Sequence, residues 1–382
     1  MNLLRIIFFS FLMPSLMNAA PAAEYFVYFG TYTAGASKGI YRSRLEVVTG
    51  QLSTAELAAP TQDPAFLALH PNGLLLYAID ESADVKRTPG KGLKAYAINS
   101  STGALTLLAE TSTGSSGACH LAVDATGKTL FIANYGGGCV SAVALLPDGR
   151  FGALTSWFEH SGKSINPDRQ NGPHPHGVYP SPDNRFVYVP DLGLDRIFCY
   201  LLDASDAKLG RNTDTASTSL KAGSGPRHLA FHPKKPFVYV ISELSCTIDA
   251  FSYNAPGTFS PLQTISTLPP GEAVPNGTST AEVQVHPSGQ FLYGSNRGAN
   301  TLVVYRIDEK TGRITYLEKV STLGQTPRHF ALEPTGAWLL AENQDSSSVT
   351  VFRVDPKSGR LTPTGQLLTV PSPVCAVFVP RY

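Results

Sequence analysis

One hairpin pattern recurs along the chain, and this repeat restricts the fold more than any other feature. Each copy is a short strand, a turn rich in Pro, Gly, Asn or Asp, and a second strand, as in HLAVDATGKTLFIANYG from His120. The other copies begin at Phe66, Gly177, His228, Val283 and His329. Two further strand-like runs follow each hairpin, and units of about 46 to 57 residues with four antiparallel strands match the blades of a β-propeller.

The two ends of the chain complement each other in this scheme. The first strand-like run, YFVYFGTY, matches the second strand of a unit, whereas PVCAVFVP near the C-terminus matches a first strand that nothing follows. We therefore expect residues 374 to 379 to form the innermost strand of a blade whose other three strands come from about 24 to 58. The sequence predicts an all-β, seven-bladed β-propeller, one domain over residues 23–382 closed by its N- and C-terminal strands.

The segment before this domain, MNLLRIIFFSFLMPSLMNAAPAAE, resembles a targeting sequence. Arg5 precedes an apolar run over residues 6–17, and small residues follow. This order is typical of a secretory signal, and Ala20 and Ala22 predict a signal peptide over residues 1–22. An uncleaved membrane anchor is the alternative, but the run is shorter than the roughly 20 residues that a span needs. We expect a periplasmic or secreted protein with no membrane association after cleavage.

Composition excludes several classes of partner and cofactor. The chain has 30 Lys and Arg against 29 Asp and Glu, with a formal net charge of +1 and no basic run, which argues against binding to nucleic acid or anionic lipid. The five cysteines are scattered without CxxC spacing, so a zinc cage is not predicted. YGGG at 135–138 precedes no helix and is interpreted as a turn, not as a phosphate loop. We expect a monomer without a cofactor.

The propeller scheme predicts which face carries the functional residues. In each blade the start of the innermost strand, the end of the second strand and the link to the next blade lie on the same face. Four irregular inserts fall at such positions: a loop within a blade over 81–92 and links between blades over 159–175, 206–226 and 266–281. Long loops gathered over a rigid scaffold are where binding residues concentrate, so we expect a site at this mouth of the channel.

Aligning the hairpins shows which polar residues reach that mouth. His176 and Arg227 open innermost strands, and Glu243 and Arg297 end second strands. These four come from three consecutive blades and are predicted to face one cavity as the catalytic residues. The residues predicted to bind substrate around them are His174, Arg328, Tyr135 and Asn296.

The pair His174 and His176 raises the question of a metal site. Side chains two apart share one side of a strand, but Pro175 between them favours a loop. A metal also needs further ligands, and no acidic or His cluster accompanies the pair. We predict no metal site, a catalytic His176 and a His174 that borders the pocket.

Several segments together resemble a known family. These segments are PHPHGVYPSPDNRFVYVPDLGLDRI, GSGPRHLAFHP leading to VYVISEL, AEVQVHPSGQFLYGSNRG, QTPRHFALEP and ANYGGGCVS. They resemble the seven-bladed lactonase family, which includes bacterial propeller-type 6-phosphogluconolactonase and fungal carboxy-muconate cyclase. The family's proposed site has a His that opens a strand, two Arg and a Glu. The resemblance places these roles on His176, Arg227, Arg297 and Glu243 and implies a lactone substrate. The predicted export of this chain differs from enzymes that act on a cytosolic metabolite, so the resemblance supports the reaction type better than the substrate.

Lactone hydrolysis requires a base for water and donors for the carbonyl oxygen as it becomes an anion. A histidine ordinarily titrates near neutrality, so His176 suits a general base. Arg227 and Arg297 could bind a carboxylate or phosphate of the substrate and stabilise the oxyanion. Glu243 could orient the arginines or itself be the base, and the sequence leaves both open. Two alternatives remain: a lactonising cycloisomerase of the muconate type, and a propeller that binds a partner or acts as a scaffold without chemistry.

Overall fold

The computed structural model describes residues 23–213, 216–254 and 257–381. In these residues 29 strands form seven antiparallel sheets. The first eleven strands are β1 (Glu24–Thr31), β2 (Gly39–Glu46), β3 (Glu56–Pro60), β4 (Leu67–Leu69), β5 (Leu75–Ile79), β6 (Gly92–Ile98), β7 (Leu105–Ser112), β8 (Ala118–Val123), β9 (Thr129–Asn134), β10 (Cys139–Leu145) and β11 (Phe151–Glu159).

The next nine strands are β12 (Tyr179–Pro180), β13 (Phe186–Asp191), β14 (Arg196–Asp203), β15 (Lys208–Arg211), β16 (Ser217–Ser219), β17 (Pro226–Phe231), β18 (Phe237–Ser242), β19 (Thr247–Asn254) and β20 (Thr258–Ser266). The last nine are β21 (Ser279–Val285), β22 (Phe291–Arg297), β23 (Thr301–Ile307), β24 (Ile314–Ser321), β25 (Pro327–Leu332), β26 (Trp338–Asn343), β27 (Ser348–Val354), β28 (Leu361–Thr369) and β29 (Pro373–Arg381). Each sheet is one blade of a seven-bladed β-propeller, so the predicted fold class is confirmed.

The closing blade joins the two ends of the chain. Its strand order is β29-β1-β2-β3, and β29 pairs with β1 in a register that sets Tyr28 opposite Val377. An ion pair between Arg381 and Glu24 holds the far end of this pairing. The predicted closure is confirmed, with β29 as the innermost strand.

The second strand of most blades is buried on both sides, which explains its continuous apolar sequence. Every residue of β5, β9, β13, β18 and β26 is buried because neighbouring blades cover both faces of these strands. Tyrosines on four second strands donate their hydroxyls to the carbonyl of a turn glycine in the next blade. These bonds are Tyr28 to Gly103 at 2.6 Å, Tyr77 to Gly149 at 3.1 Å, Tyr239 to Gly312 at 3.1 Å and Tyr293 to Gly359 at 2.8 Å. One recurring contact thus joins successive blades.

One predicted insert requires a correction. The segment 206–226 was expected to be a link, but it contains β15 and β16, which both pair with β14 as outer strands of their blade. Two short strands take the place of one long outer strand in this blade. The sequence therefore has no long run of alternating apolar and polar residues that would predict an outer strand here. The other three inserts connect strands as expected, although their end residues, including 279–281 of the last one, belong to the flanking strands.

The remaining expectations concern the leader and the cysteines. The predicted signal over residues 1–22 lies outside the described residues. Over the part of the chain that the structure describes, no helix is long and apolar enough to cross a membrane. All five cysteines are buried and unpaired, and they pack as small core residues.

Candidate functional site

Glu243 is the centre of the site. It follows β18, is only 2 % exposed, accepts a hydrogen bond on Oε2 from Arg227 Nε at 3.1 Å, and forms an ion pair through Oε2 with Arg297 Nη2 at 2.9 Å. A third arginine, Arg169, donates from Nη2 to Oε1 at 2.6 Å. One buried carboxylate therefore holds three guanidinium groups in fixed positions.

His176 completes the predicted quartet. Its backbone N–H donates to the carbonyl of Pro190 at 2.9 Å, which fixes the chain just before β12. The imidazole is buried, with Nε2 3.9 Å from Glu243 Oε2 and Nδ1 3.7 Å from Cys119 Sγ. The structure thus brings together His176, Arg227, Glu243 and Arg297.

Irregular pairing at the start of the inner strands aims the arginines at the channel. The register of β17 against β18 shifts between Pro226 and His228, and that of β25 against β26 shifts between Pro327 and His329. Arg227 and Arg328 occupy these irregular positions. A bulge frees one residue from the alternation of the strand and redirects its side chain, which is why bulges are frequent beside active sites.

The electrostatics assign protonation states to the two candidate bases. Burial alone would raise the pKa of Glu243, but Arg297 and Arg227 outweigh it and hold that pKa well below its usual range. Burial, reinforced by Arg227, lowers the pKa of His176 well below its ordinary value of 6.5. At neutral pH the site therefore contains a carboxylate and a neutral imidazole.

Arg169 is a site residue that the sequence reasoning missed. It belongs to the link 159–175, has a side chain 42 % exposed, and reaches the Tyr135 hydroxyl at 3.4 Å as well as Glu243. Gln170 anchors this link by donating Nε2 to the Leu192 carbonyl at 2.8 Å and to Asp195 Oδ1 at 2.9 Å. An insert has no equivalent in the other blades, so the hairpin alignment could not select Arg169.

Tyr135 and His174 lie at the edge of the cluster. Their rings stack with centroids 4.3 Å apart, and Tyr135 also meets the His176 ring edge-on at 5.2 Å. The His174 backbone N–H donates to Asp191 Oδ1 at 2.8 Å, so the loop is held in place. Both residues are positioned to border a ligand at the cluster.

Arg328 lies on another wall of the channel mouth. Its guanidinium carbon is 5.3 Å from the centre of the Tyr32 ring, and Tyr32 donates its hydroxyl to Glu81 Oε2 at 2.7 Å. These residues line a narrow cavity with a volume of about 10 Å³, which Arg227 and Cys119 also border. Among the described residues Arg328 forms no ion pair or hydrogen bond through its side chain, unlike Arg227.

Asn296 does not join the others. Its buried amide donates Nδ2 to the Thr267 carbonyl at 3.0 Å, in the link from the preceding blade, and to Thr301 Oγ1 at 3.3 Å in its own blade. Asn134 and Asn343 end the equivalent strands and bond similarly to their own blades. Asn296 Nδ2 thus has a structural contact, whereas its buried Oδ1 has no partner among the described residues, and substrate binding by Asn296 stays a prediction.

A buried network supports Arg227 from below. Arg227 Nη1 donates to the Ala281 carbonyl at 2.7 Å and contacts the His228 ring at 3.3 Å. His228 Nδ1 lies 2.8 Å from Glu282 Oε2, and His329 Nδ1 lies 2.9 Å from Glu342 Oε2. These contacts plug the channel beneath the site. Within the described ranges no group of three His, Cys, Asp or Glu side chains is arranged to hold a metal ion.

The fold and the site together define a class of protein: a seven-bladed propeller with a preformed arginine and carboxylate cluster at the mouth of its channel. The family model described as Lactonase, 7-bladed beta-propeller matches residues 26–378. The chain therefore belongs to the seven-bladed β-propeller lactonase family, and the resemblance found in the sequence is confirmed.

Individual relatives agree with this assignment. A protein of Bacillus subtilis named 6-phosphogluconolactonase is 35% identical over 311 residues, which cover 81% of this chain and 85% of that protein. A solved structure of a putative 6-phosphogluconolactonase from Bacteroides fragilis is 30% identical, with a TM-score of 0.86 and coverage of 96% of this chain and 100% of that one. The structure of a periplasmic gluconolactonase from Pseudomonas aeruginosa is 29% identical, with a TM-score of 0.86 and coverage of 94% and 100%.

Proposed function

We propose that this protein is a lactonase that hydrolyses a sugar lactone or a related anionic lactone. The observation that carries the proposal is the convergence of His176, Arg227 and Arg297 on the buried carboxylate of Glu243. Membership in the lactonase family supports the reaction type, and relatives named for 6-phosphogluconolactone and gluconolactone support a sugar lactone.

His176 is the general base in this proposal. Contacts with three arginines lower the pKa and the basicity of Glu243, whereas the imidazole of His176, although burial lowers its pKa too, is neutral at physiological pH and can accept a proton. His176 removes a proton from water as the oxygen attacks the carbonyl carbon. When the ring C–O bond breaks, the imidazolium returns the proton to the departing alkoxide, and the product is a hydroxy acid.

The arginines stabilise the negative charge that develops. Arg297 Nε is buried and, among the described residues, has no hydrogen-bond partner. A buried donor without an acceptor is costly, so this N–H is a candidate for the oxyanion or for a substrate oxygen. Glu243 neutralises part of the charge of the arginines and holds them in place without taking the proton.

Arg328 is proposed to bind an anionic group of the substrate. Its side chain has no ion-pair partner in the described residues, and it lies against the Tyr32 ring at the central cavity. A free guanidinium suits a carboxylate or a phosphate, which it can bind with two parallel hydrogen bonds. The stacked rings of Tyr135 and His174 would border the sugar.

A panel of lactones tests the proposal. D-Glucono-δ-lactone, its 6-phosphate and an uncharged aliphatic lactone would be incubated with the protein, and acid release followed against the spontaneous rate. We expect acceleration for at least one sugar lactone. Saturable binding of all substrates without acceleration would instead support the binding propeller, and ring closure of an added hydroxy acid or muconate would support the cycloisomerase.

We also propose that residues 1–22 are removed and that the mature protein is a periplasmic or secreted monomer. The charged start and apolar run support export, and one structural relative is a periplasmic protein. Mass measurement of the protein from its native host would find an N-terminus near Ala23. Cytosolic protein with an intact Met1 would contradict export. A molar mass from light scattering of twice that of one chain would contradict a monomer.

A further inference from the structure

A second cavity lies outside the central channel. It has a volume of about 370 Å³ and lies between the end of β11 with the link that follows it and the strands β14 and β15 of the next blade. This size is within the range of small-molecule sites. The cavity shares no lining residue with the central cavity around Arg328. We call it the rim cavity.

Three cationic side chains, Lys163, Arg196 and Arg211, line the rim cavity. In the described part of the chain none of them forms an ion pair with a carboxylate. Arg196 makes one long hydrogen bond, from Nη1 to Ser217 Oγ at 3.4 Å, and Arg211 lies 5.3 Å from the centre of the Phe158 ring. The charges of this cavity are therefore available to a ligand.

The floor of the rim cavity is built from ordered aromatic groups. His160 is buried and donates from Nδ1 to Asp191 Oδ2 at 2.6 Å, so its Nε2 accepts the hydrogen bond of the Tyr200 hydroxyl at 2.8 Å. The Phe198 ring lies 3.9 Å from the His160 ring, centre to centre. This floor is rigid before any ligand arrives, which lowers the entropic cost of binding.

The rim cavity also offers groups for hydroxyls. Glu159 and Ser161 are exposed on its wall and can accept or donate hydrogen bonds, while Phe198 presents apolar surface. A sugar acid requires this combination: cations that bind its acid group, polar groups that bind its hydroxyls and a ring face that contacts its carbon atoms.

We propose that the rim cavity is a second binding site, for a hydroxylated organic anion of the sugar acid type. Lys163, Arg196 and Arg211 hold the acid group, and Glu159 and Ser161 contact the hydroxyls. The site is separate from the Glu243 cluster, so the inference stands whether or not the protein hydrolyses lactones.

Calorimetric titration of the mature protein tests this site. D-Gluconate, inorganic phosphate and uncharged D-glucose would each be titrated into wild type, Arg196→Gln/Arg211→Gln and Lys163→Gln. The same ligands titrated into Arg328→Gln control for anions that bind at the central mouth. Both rim arginines are exposed, so the double variant should keep its fold, which its thermal melt would verify.

We expect gluconate to bind more tightly than phosphate, and glucose not to bind. The double variant should bind gluconate about tenfold more weakly than wild type. Lys163→Gln should bind gluconate more weakly than wild type but less so than the double variant, and Arg328→Gln should keep its binding of gluconate at the rim cavity. Binding that disappears in Arg328→Gln and persists in the double variant would place the anion at the mouth and overturn the proposal. Absence of gluconate binding to wild type would overturn it as well, and phosphate that binds as tightly as gluconate would refute the sugar-acid assignment.

Discussion

At the scale of single residues, the site is organised by the way one carboxylate is shared. Glu243 forms ion pairs with Arg169, Arg227 and Arg297, and its Oε2 lies 3.9 Å from His176 Nε2. The arginines lower the pKa of Glu243 and, together with burial, keep His176 neutral. The division of roles between an imidazole base and an orienting carboxylate follows from these contacts.

Replacement of His176 tests the base directly. His176→Ala should lower kcat for the lactone by roughly 10² to 10⁴, with a smaller change in KM, because proton transfer matters in the transition state. His174→Ala is the neighbouring comparison, and it should change the rate little because His174 only borders the cluster. A loss in His174→Ala with a normal rate in His176→Ala would reverse the two assignments.

The pH profile follows from the lowered pKa of His176. A base must be unprotonated, and burial shifts protonation of His176 to a pH well below 6.5. We expect kcat/KM to stay level as the pH falls through 6.5 and to decrease only at more acidic pH, where His176 becomes charged. The profile would be measured by initial rates at constant ionic strength, and a half-maximal value at pH 6.5 would contradict an imidazole in this environment.

At the scale of strands and turns, the blades are joined by a tyrosine hydroxyl and a turn glycine. Gly312 has φ of +70°, and a Cβ there would lie 2.5 Å from the ring of Phe237 in the preceding blade. The turn signals in the sequence, such as TG and DG, therefore mark contacts between blades as well as changes of direction.

Gly312→Ala measures this contact. The substitution combines left-handed backbone strain with a steric overlap and should destabilise the protein by about 2 to 4 kcal/mol. Gly365→Ala is a matched control, because Gly365 has φ of +82° but open space around its Cβ position. Thermal melts should show the larger fall for Gly312→Ala, and equal falls would show that the contact with Phe237 contributes nothing.

An element of this protein could be predicted from the sequence when the same pattern recurs in other blades. The hairpins, the closure and the positions of His176, Arg227, Glu243 and Arg297 could be predicted because each blade has the same register at the mouth. The divided outer strand of β15 and β16 and the contact of Arg169 could not, because both lie in segments without counterparts in other blades. The contact of Asn296 Nδ2 with the Thr267 carbonyl could not be predicted either, because the repeat position does not show whether a polar side chain faces the channel or a neighbouring link.

At the scale of the whole molecule, the ring depends on its closing blade. β29 places Val374, Cys375 and Ala376 in the core beside β1, so the last residues of the chain complete the first blade. If this strand were absent, the edge of β1 would lose its pairing partner and β25 of the neighbouring blade would lose its packing against β29.

Truncation tests the closure. Removing residues 371–382 should abolish a cooperative thermal transition, because it opens the ring and exposes the buried face of β1. Removing only Arg381 and Tyr382 is the control, which loses the ion pair to Glu24 and should lower the melting temperature slightly. A cooperative melt of the longer truncation near the wild-type temperature would show that closure by β29 is dispensable.

The central claim is that lactone hydrolysis takes place at the arginine cluster around Glu243. Its most direct measurement is the rate of acid release from D-glucono-δ-lactone by wild type and by Arg297→Lys. Lysine keeps the charge but lacks the planar guanidinium, in which Nη2 contacts both Glu243 and the Thr280 carbonyl while Nε has no partner among the described residues. We predict acceleration by wild type and a loss of kcat/KM of at least about tenfold in Arg297→Lys with its fold intact. Equal rates for the two proteins would contradict the claim.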